Sequence, residues 1–129
     1  MDVFVYGTLT DPARVASVVD SYAFLGSAVL DGLHPVEGEH PTLAPGGRTG
    51  GRLLRTDDAA ALDRYEGVAS GLYVRVPVPY RGDDREEVFV YVGDPARLGA
   101  DAEWPGRGSL ADRVERYVES EGVTVSPTS

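Results

Sequence analysis

Two short stretches hold residues whose types and spacing could do chemistry. The first is Tyr6-Gly7-Thr8-Leu9-Thr10, followed directly by Asp11-Pro12. Gly7 can adopt backbone angles closed to other residues, and Asp11-Pro12 reads as an N-cap and a first helical position. A turn whose amides at residues 7 to 10 have few internal partners, set beside a helix N-terminus, suits an anion or a developing oxyanion. On spacing alone the same residues also describe an ordinary strand-turn-helix connection. A nucleotide phosphate loop is excluded, because there is no Gly-Lys-Ser/Thr and the chain contains no lysine.

The second stretch is Leu62-Asp63-Arg64-Tyr65-Glu66-Gly67. Thr56 is expected to cap a short helix with Asp57 and Asp58 in its first turn, and Gly67 to end it as a C′ glycine. Glu66 then falls in the last turn, facing the negative pole of the helix, which costs an ionised carboxylate a few tenths to about 1 kcal/mol. On a surface it would simply pair with Arg64 or Arg75. Buried beside the Gly7 loop, it would have a raised pKa and could shuttle a proton near neutral pH. The two histidines, His34 and His40, flank Glu37 and Glu39, but their spacing matches no recognised metal site and a third convergent ligand is missing. They read as loop residues.

The elements that must position these stretches follow from periodicity. Val3 to Val5 is an unbroken apolar run, as in a central strand buried on both faces. Val15, Val18, Val19 and Tyr22 fall at helical spacing, which predicts a helix over residues 12 to 20. Phe24 to Leu30 has strand composition, with Gly26 as a bulge or close approach. Residues 32 to 47, rich in Gly and Pro, read as extended pieces and turns, and Gly50 to Arg55 as another strand. Leu72 to Tyr80 alternates, with Val74, Val76 and Val78 on one side and Tyr73 and Arg75 on the other; its two prolines put the far end at a sheet edge or bulge. Residues 81 to 85 connect it to a returning strand, Val88 to Val92. Ser109 with Asp112 opens a helix striped by Leu110, Val114, Tyr117 and Val118. Residues 94 to 108 read as turns, and the tail after Gly122 as frayed. A single domain over residues 1 to 121, with a tail at 122 to 129, is therefore expected.

Composition narrows the function classes. The chain has no cysteine, which excludes disulfides, cysteine-bound zinc and thiolate catalysis. Twelve positive residues, all arginine, stand against 21 acidic ones, for a net charge of −9. Such a balance argues against a nucleic-acid or anionic-membrane partner. It fits either a salt-adapted protein or a GC-rich genome. With no signal-like or membrane-spanning run, a soluble, cytoplasmic protein is expected.

Taken in order, Phe4-Val5-Tyr6-Gly7-Thr8-Leu9, Leu62-Asp63-Arg64-Tyr65-Glu66-Gly67, Leu72-Tyr73-Val74-Arg75-Val76 and Val88-Phe89-Val90-Tyr91-Val92 resemble the γ-glutamylcyclotransferase-like (AIG2-like) family over about residues 3 to 92. The resemblance implies a small α/β (α+β) fold: a mixed, partly closed β-barrel of about six strands flanked by helices, with a cavity at one mouth. It implies that Glu66 is the catalytic acid/base, that Tyr6, Gly7, Thr8 and Leu9 bind the γ-glutamyl portion of a small-molecule substrate, and that Tyr73 also lines the cavity. The implied reaction forms 5-oxoproline and releases an amine or amino acid, with no cofactor and no metal. Removal of a γ-glutamyl group in a biosynthetic pathway and a non-catalytic small-molecule binding module are the alternatives. Where many relatives carry an aromatic-Pro-Gly segment, this chain has Glu39-His40-Pro41-Thr42-Leu43.

Overall fold

A computed structural model describes residues 1–128. Six strands, β1 (Asp2–Val5), β2 (Ala23–Val36), β3 (Thr42–Arg55), β4 (Tyr73–Pro79), β5 (Glu87–Gly93) and β6 (Thr124–Pro127), form one sheet in the order β4-β5-β1-β3-β2-β6. The apolar run at Val3 to Val5 is buried in the middle of it, antiparallel to β3 and parallel to β5. β3 comes unusually close to the end of β1. A Cβ on Gly51 would lie 2.3 Å from the Val5 carbonyl oxygen, so only glycine fits there.

Residues 23 to 55 depart from the sequence expectation. β2 and β3 make one long antiparallel hairpin from Ala23↔Arg55 to Val36↔Thr42 instead of short strands separated by turns. Gly and Pro weaken intrinsic strand preference, but pairing with neighbours overrides it. The irregularity is absorbed at two register shifts, Phe24/Gly26 and Asp31/Leu33, the first at the glycine expected to bulge. His34 therefore sits in a strand, with Nδ1 3.0 Å from the Gly46 carbonyl oxygen, and not in a loop.

The tail is a second correction. Thr124–Pro127 is a strand antiparallel to β2, and Val123 and Val125 are fully buried; Ser129 lies outside the described residues. The stabilising partner is nearly a hundred residues away in the chain, so no local pattern announces it. β6 also receives the Arg81 amide at the Val125 carbonyl (2.8 Å), next to a Tyr80↔Val125 bridge. This contact draws the two ends of the sheet together into a curled half-barrel.

Helices cover the two faces. α4 (Leu110–Glu121) is capped by Ser109, which accepts the Asp112 amide at 3.1 Å, and it buries Val114 and Val118 against the barrel interior. On the other face lie α1 (Pro12–Val18), α2 (Ala59–Glu66) and the short α3 (Pro95–Leu98), with Val15, Leu62 and Leu98 buried beneath them. α1 is capped by Asp11, which accepts the Ala13 amide at 3.1 Å. The cap of α2 is Asp58, which accepts the Ala61 amide, and not Thr56; the Thr56 hydroxyl accepts the Asp58 amide and donates to the Ser21 carbonyl. Both residues suit a cap, but the helix begins only at Ala59, so Asp58 stands at the capping position and Thr56 two residues ahead of it holds the Asp58 amide instead. Among the described residues no helix is long and apolar enough to cross a membrane.

Candidate active site

Where β1 ends, Gly7 at φ +75° turns the chain into a single 3-10 turn, Gly7–Thr10, and then into α1. Bonds in such a turn run from residue i to i+3, so the amides at its start, Gly7 and Thr8, are the ones it leaves unused. This is a narrower set than the amides of residues 7 to 10 expected from sequence. The turn is braced from outside. The Thr10 hydroxyl donates to the Gly7 carbonyl (2.6 Å), and the Arg52 guanidinium to the Thr10 carbonyl (2.9 Å).

α2 brings the second stretch up to this turn. Gly67 takes the left-handed conformation (φ +69°), its amide bonds the Arg64 carbonyl, and Glu66 is the last helical residue. Glu66, Tyr6, Thr8, Leu9 and Tyr73 line one cavity of about 470 Å³. Gly7, grouped with them from sequence, is not among the lining residues; its part is to set the turn. Leu9 and Tyr73 are buried in the floor, while Thr8 is exposed at the rim.

Glu66 is half-buried and forms no ion pair among the described residues, because Arg75 pairs with Asp63 instead (3.2 Å). Burial without a cation lifts its pKa to about 7. The neighbouring tyrosines stay protonated. Burial, and secondarily the Glu66 charge, pushes the Tyr73 hydroxyl up, and burial with the Tyr73 and Glu66 charges does the same to Tyr6. Both hydroxyl protons are committed, Tyr73 to the Pro41 carbonyl (2.6 Å) and Tyr6 to the Tyr91 carbonyl (2.5 Å). Toward a ligand these hydroxyls can accept a hydrogen bond but have no proton left to donate. Tyr91 in turn donates to Asp63 (2.7 Å), three residues before Glu66 on the same helix.

The cavity also recruits residues that the sequence reading did not assign. His40 and Pro41 line it, so the segment that replaces the aromatic-Pro-Gly pattern still enters the site, and Pro41 lies 3.5 Å from where a Gly7 Cβ would stand. That replacement was the available signal. Arg14, Tyr65, Leu72 and Tyr91 line it as well. Tyr65 neighbours Glu66 in sequence, and its hydroxyl is 3.5 Å from that of Thr8; Arg14 had no signal, being one exposed arginine on a helix. Among the described residues no group of His, Asp and Glu is placed to hold a metal ion.

Comparison with known proteins agrees with this architecture. The family model "Gamma-glutamyl cyclotransferase, AIG2-like" matches residues 3–107, which takes in the turn-rich part after β5. Protein AIG2 C of Arabidopsis thaliana is 29% identical over 131 residues, covering 92% of this chain and 78% of that protein. A solved structure described as a gamma-glutamyl cyclotransferase superposes with a TM-score of 0.61 at 15% identity, over 92% of this chain and 98% of the other. The solution structure of At3g28950.1 from Arabidopsis thaliana gives 0.55 at 28% identity, over 94% of this chain and 79% of the other.

Proposed function

The chain belongs to the gamma-glutamyl cyclotransferase, AIG2-like family, and from that premise we propose that it converts a γ-glutamyl amide into 5-oxoproline and a free amine or amino acid, with Glu66 as general acid/base. The observation that carries this reading is Glu66 itself: a half-buried carboxylate, unpaired by any cation among the described residues, raised to about 7, in a cavity it shares with the Tyr6–Leu9 turn.

The substrate's α-amine nitrogen attacks its own γ-carbonyl carbon, a five-membered lactam closes, and the bond to the amide nitrogen breaks. The attack is intramolecular and needs little beyond folding of the substrate chain. The substrate's ammonium must first lose a proton, and the departing nitrogen must gain one. A carboxylate with a pKa near the working pH does both, taking protons from the attacking nitrogen and delivering them to the leaving one. Of the ammonium's three protons one stays in the lactam and two leave with the amine, so the step balances without a cofactor. The Thr8 amide, left unused by the turn that Gly7 sets, is the donor for the substrate carboxylate or the oxyanion, typically worth about 3 kcal/mol when well placed. Tyr73, its proton held by Pro41, is assigned to shaping the cavity wall.

The test is release of 5-oxoproline from a panel of γ-glutamyl amino acids and amines, on wild type and on Glu66→Gln. The variant keeps shape and loses basicity, so turnover falls about 10²–10⁴-fold with little change in substrate affinity. Binding by the wild type without any 5-oxoproline would make the protein a binding module. Free glutamate in place of 5-oxoproline would make it an amide hydrolase. Full activity of the variant would remove Glu66 from the chemistry.

A further inference from the structure

A cavity of about 470 Å³ holds more than a γ-glutamyl group, and its lining is not uniform from floor to mouth. Tyr73, Tyr91 and Leu9 are buried, whereas Thr8, Arg14, His40 and Tyr65 are exposed. Arg14 is the only arginine in the lining, and it forms no ion pair among the described residues although the chain carries 21 acidic side chains. Its backbone is well anchored. It lies in the first turn of α1, where its amide bonds the Asp11 carbonyl (3.1 Å), and the next residue, Val15, is fully buried.

Orientation follows from where Glu66 sits. A proton shuttle must touch the α-amine and the scissile nitrogen together, so the γ-glutamyl half occupies the inner part of the cavity beside Glu66 and the Tyr6–Leu9 turn. What leaves must extend toward the mouth. We propose that Arg14 is a specificity determinant that binds a carboxylate on the leaving portion, so that the preferred substrate is a γ-glutamyl amino acid and not a γ-glutamyl amine. This rests on the cyclotransferase reading above for the direction of the substrate, but its readout does not require turnover. A guanidinium matches a carboxylate with two parallel N–H donors, and among the described residues no carboxylate pairs with this one.

The experiment compares γ-glutamyl-alanine with γ-glutamyl-ethylamide, which keeps the chain length and lacks the carboxylate. Equilibrium binding and 5-oxoproline release are both measured, on wild type and on Arg14→Gln. Wild type should favour γ-glutamyl-alanine in affinity and in kcat/KM, and Arg14→Gln should cut that preference about tenfold to a hundredfold, as expected for a charge-assisted contact. Turnover with an unchanged preference in the variant would overturn the inference and leave the enzymatic reading intact. An equal loss on both substrates would also overturn it, since Arg14 would then read the α-carboxylate common to both. Discrimination in binding without 5-oxoproline would uphold the Arg14 contact and sink the cyclotransferase reading. Binding of neither compound would sink both.

Discussion

On β5, Val88, Val90 and Val92 point into the barrel interior beneath α4, while Phe89 and Tyr91 point to the face under α1 and α2. β4 repeats the division, with Val74, Val76 and Val78 on the first side and Tyr73 on the second, where Arg75 reaches Asp63. The same two strands thus build a dry face and a wet one, because successive side chains alternate across a sheet. On the wet face the ionisable groups buried around Glu66 have partners: Tyr91 and Arg75 on Asp63, Tyr73 on Pro41, Tyr6 on the Tyr91 carbonyl, whereas Glu66 has none among the described residues. The difference teaches where to look for chemistry. A buried, unpaired carboxylate costs stability, and this fold tolerates one on the face that also has a cavity.

Glu66→Gln tests that contrast with the largest expected effect, because activity and stability should move in opposite directions. Turnover falls about 10²–10⁴-fold. Burial lifts Glu66 from an ordinary 4.5 to about 7, so between those values the folded chain binds more protons than the unfolded one. Stability then declines as pH rises through this window, and above pH 7 the full penalty, on the order of 3 kcal/mol, is present. The glutamine variant should lack this slope and unfold at higher denaturant than wild type at pH 8. The acid limb of kcat/KM in the wild type should likewise fall near pH 7. A variant less stable than wild type at pH 8 would mean that Glu66 holds the fold together.

Leu30→Ala is the counterpart on the dry face. Leu30 is fully buried in the interior cluster and is not among the residues that line the cavity. The truncation should cost about 2–5 kcal/mol in denaturant unfolding, with kcat per folded molecule unchanged. A specific loss of kcat would show that the two faces are coupled.

Much of the wet face was legible in sequence because its signals are local. The Asp11-Pro12 cap, the Gly67 stop and the alternation of Val74, Val76 and Val78 against Tyr73 and Arg75 each need only a few neighbouring residues. What failed needed partners distant in the chain. Residues 32 to 47 look broken by Pro35, Pro45, Gly46 and Gly47, yet the β2–β3 ladder runs through Pro35 and Pro45 and takes up Gly46 and Gly47 at the register shift opposite Gly32. β6 is four residues long, too short to show a period, and exists because β2 offers it an edge. Arg14 and His40 reach the cavity only through the tertiary fold, so residue type alone could not single them out.

Tyr91→Phe gives a smaller effect that sharpens the comparison. It removes the hydroxyl that donates to Asp63 at 2.7 Å and leaves the ring in the cavity wall. Asp63 keeps Arg75, so the loss should be about 1.5–2 kcal/mol of stability, at the low end of the range for a bond to a charged group. Turnover should change less than threefold, because the proton shuttle on the same helix is untouched. A loss comparable to that of Glu66→Gln would move Tyr91 from support into the chemistry.

The smallest effect concerns the shell outside both faces. α4 seals the dry side with Val114 and Val118, and turns Asp112, Glu115 and Glu119 to solvent. With a net charge of −9, self-repulsion opposes the compact state. Added salt shortens the screening length from about 10 Å at 0.1 M to about 3 Å at 1 M, relieving that repulsion. It also weakens surface pairs such as Arg48–Asp31 and Arg55–Asp2, but exposed pairs contribute little, about 0–1 kcal/mol each. Repulsion spread over the whole acidic surface outweighs these few pairs, so the melting temperature should rise by a few degrees between dilute buffer and molar KCl. Equal melting temperatures would identify the lysine-free, acidic composition as a matter of codon usage and not of salt adaptation. A rise confined to variants of the wet face would show that the relevant repulsion is at Glu66 and its neighbours, and not spread over the shell.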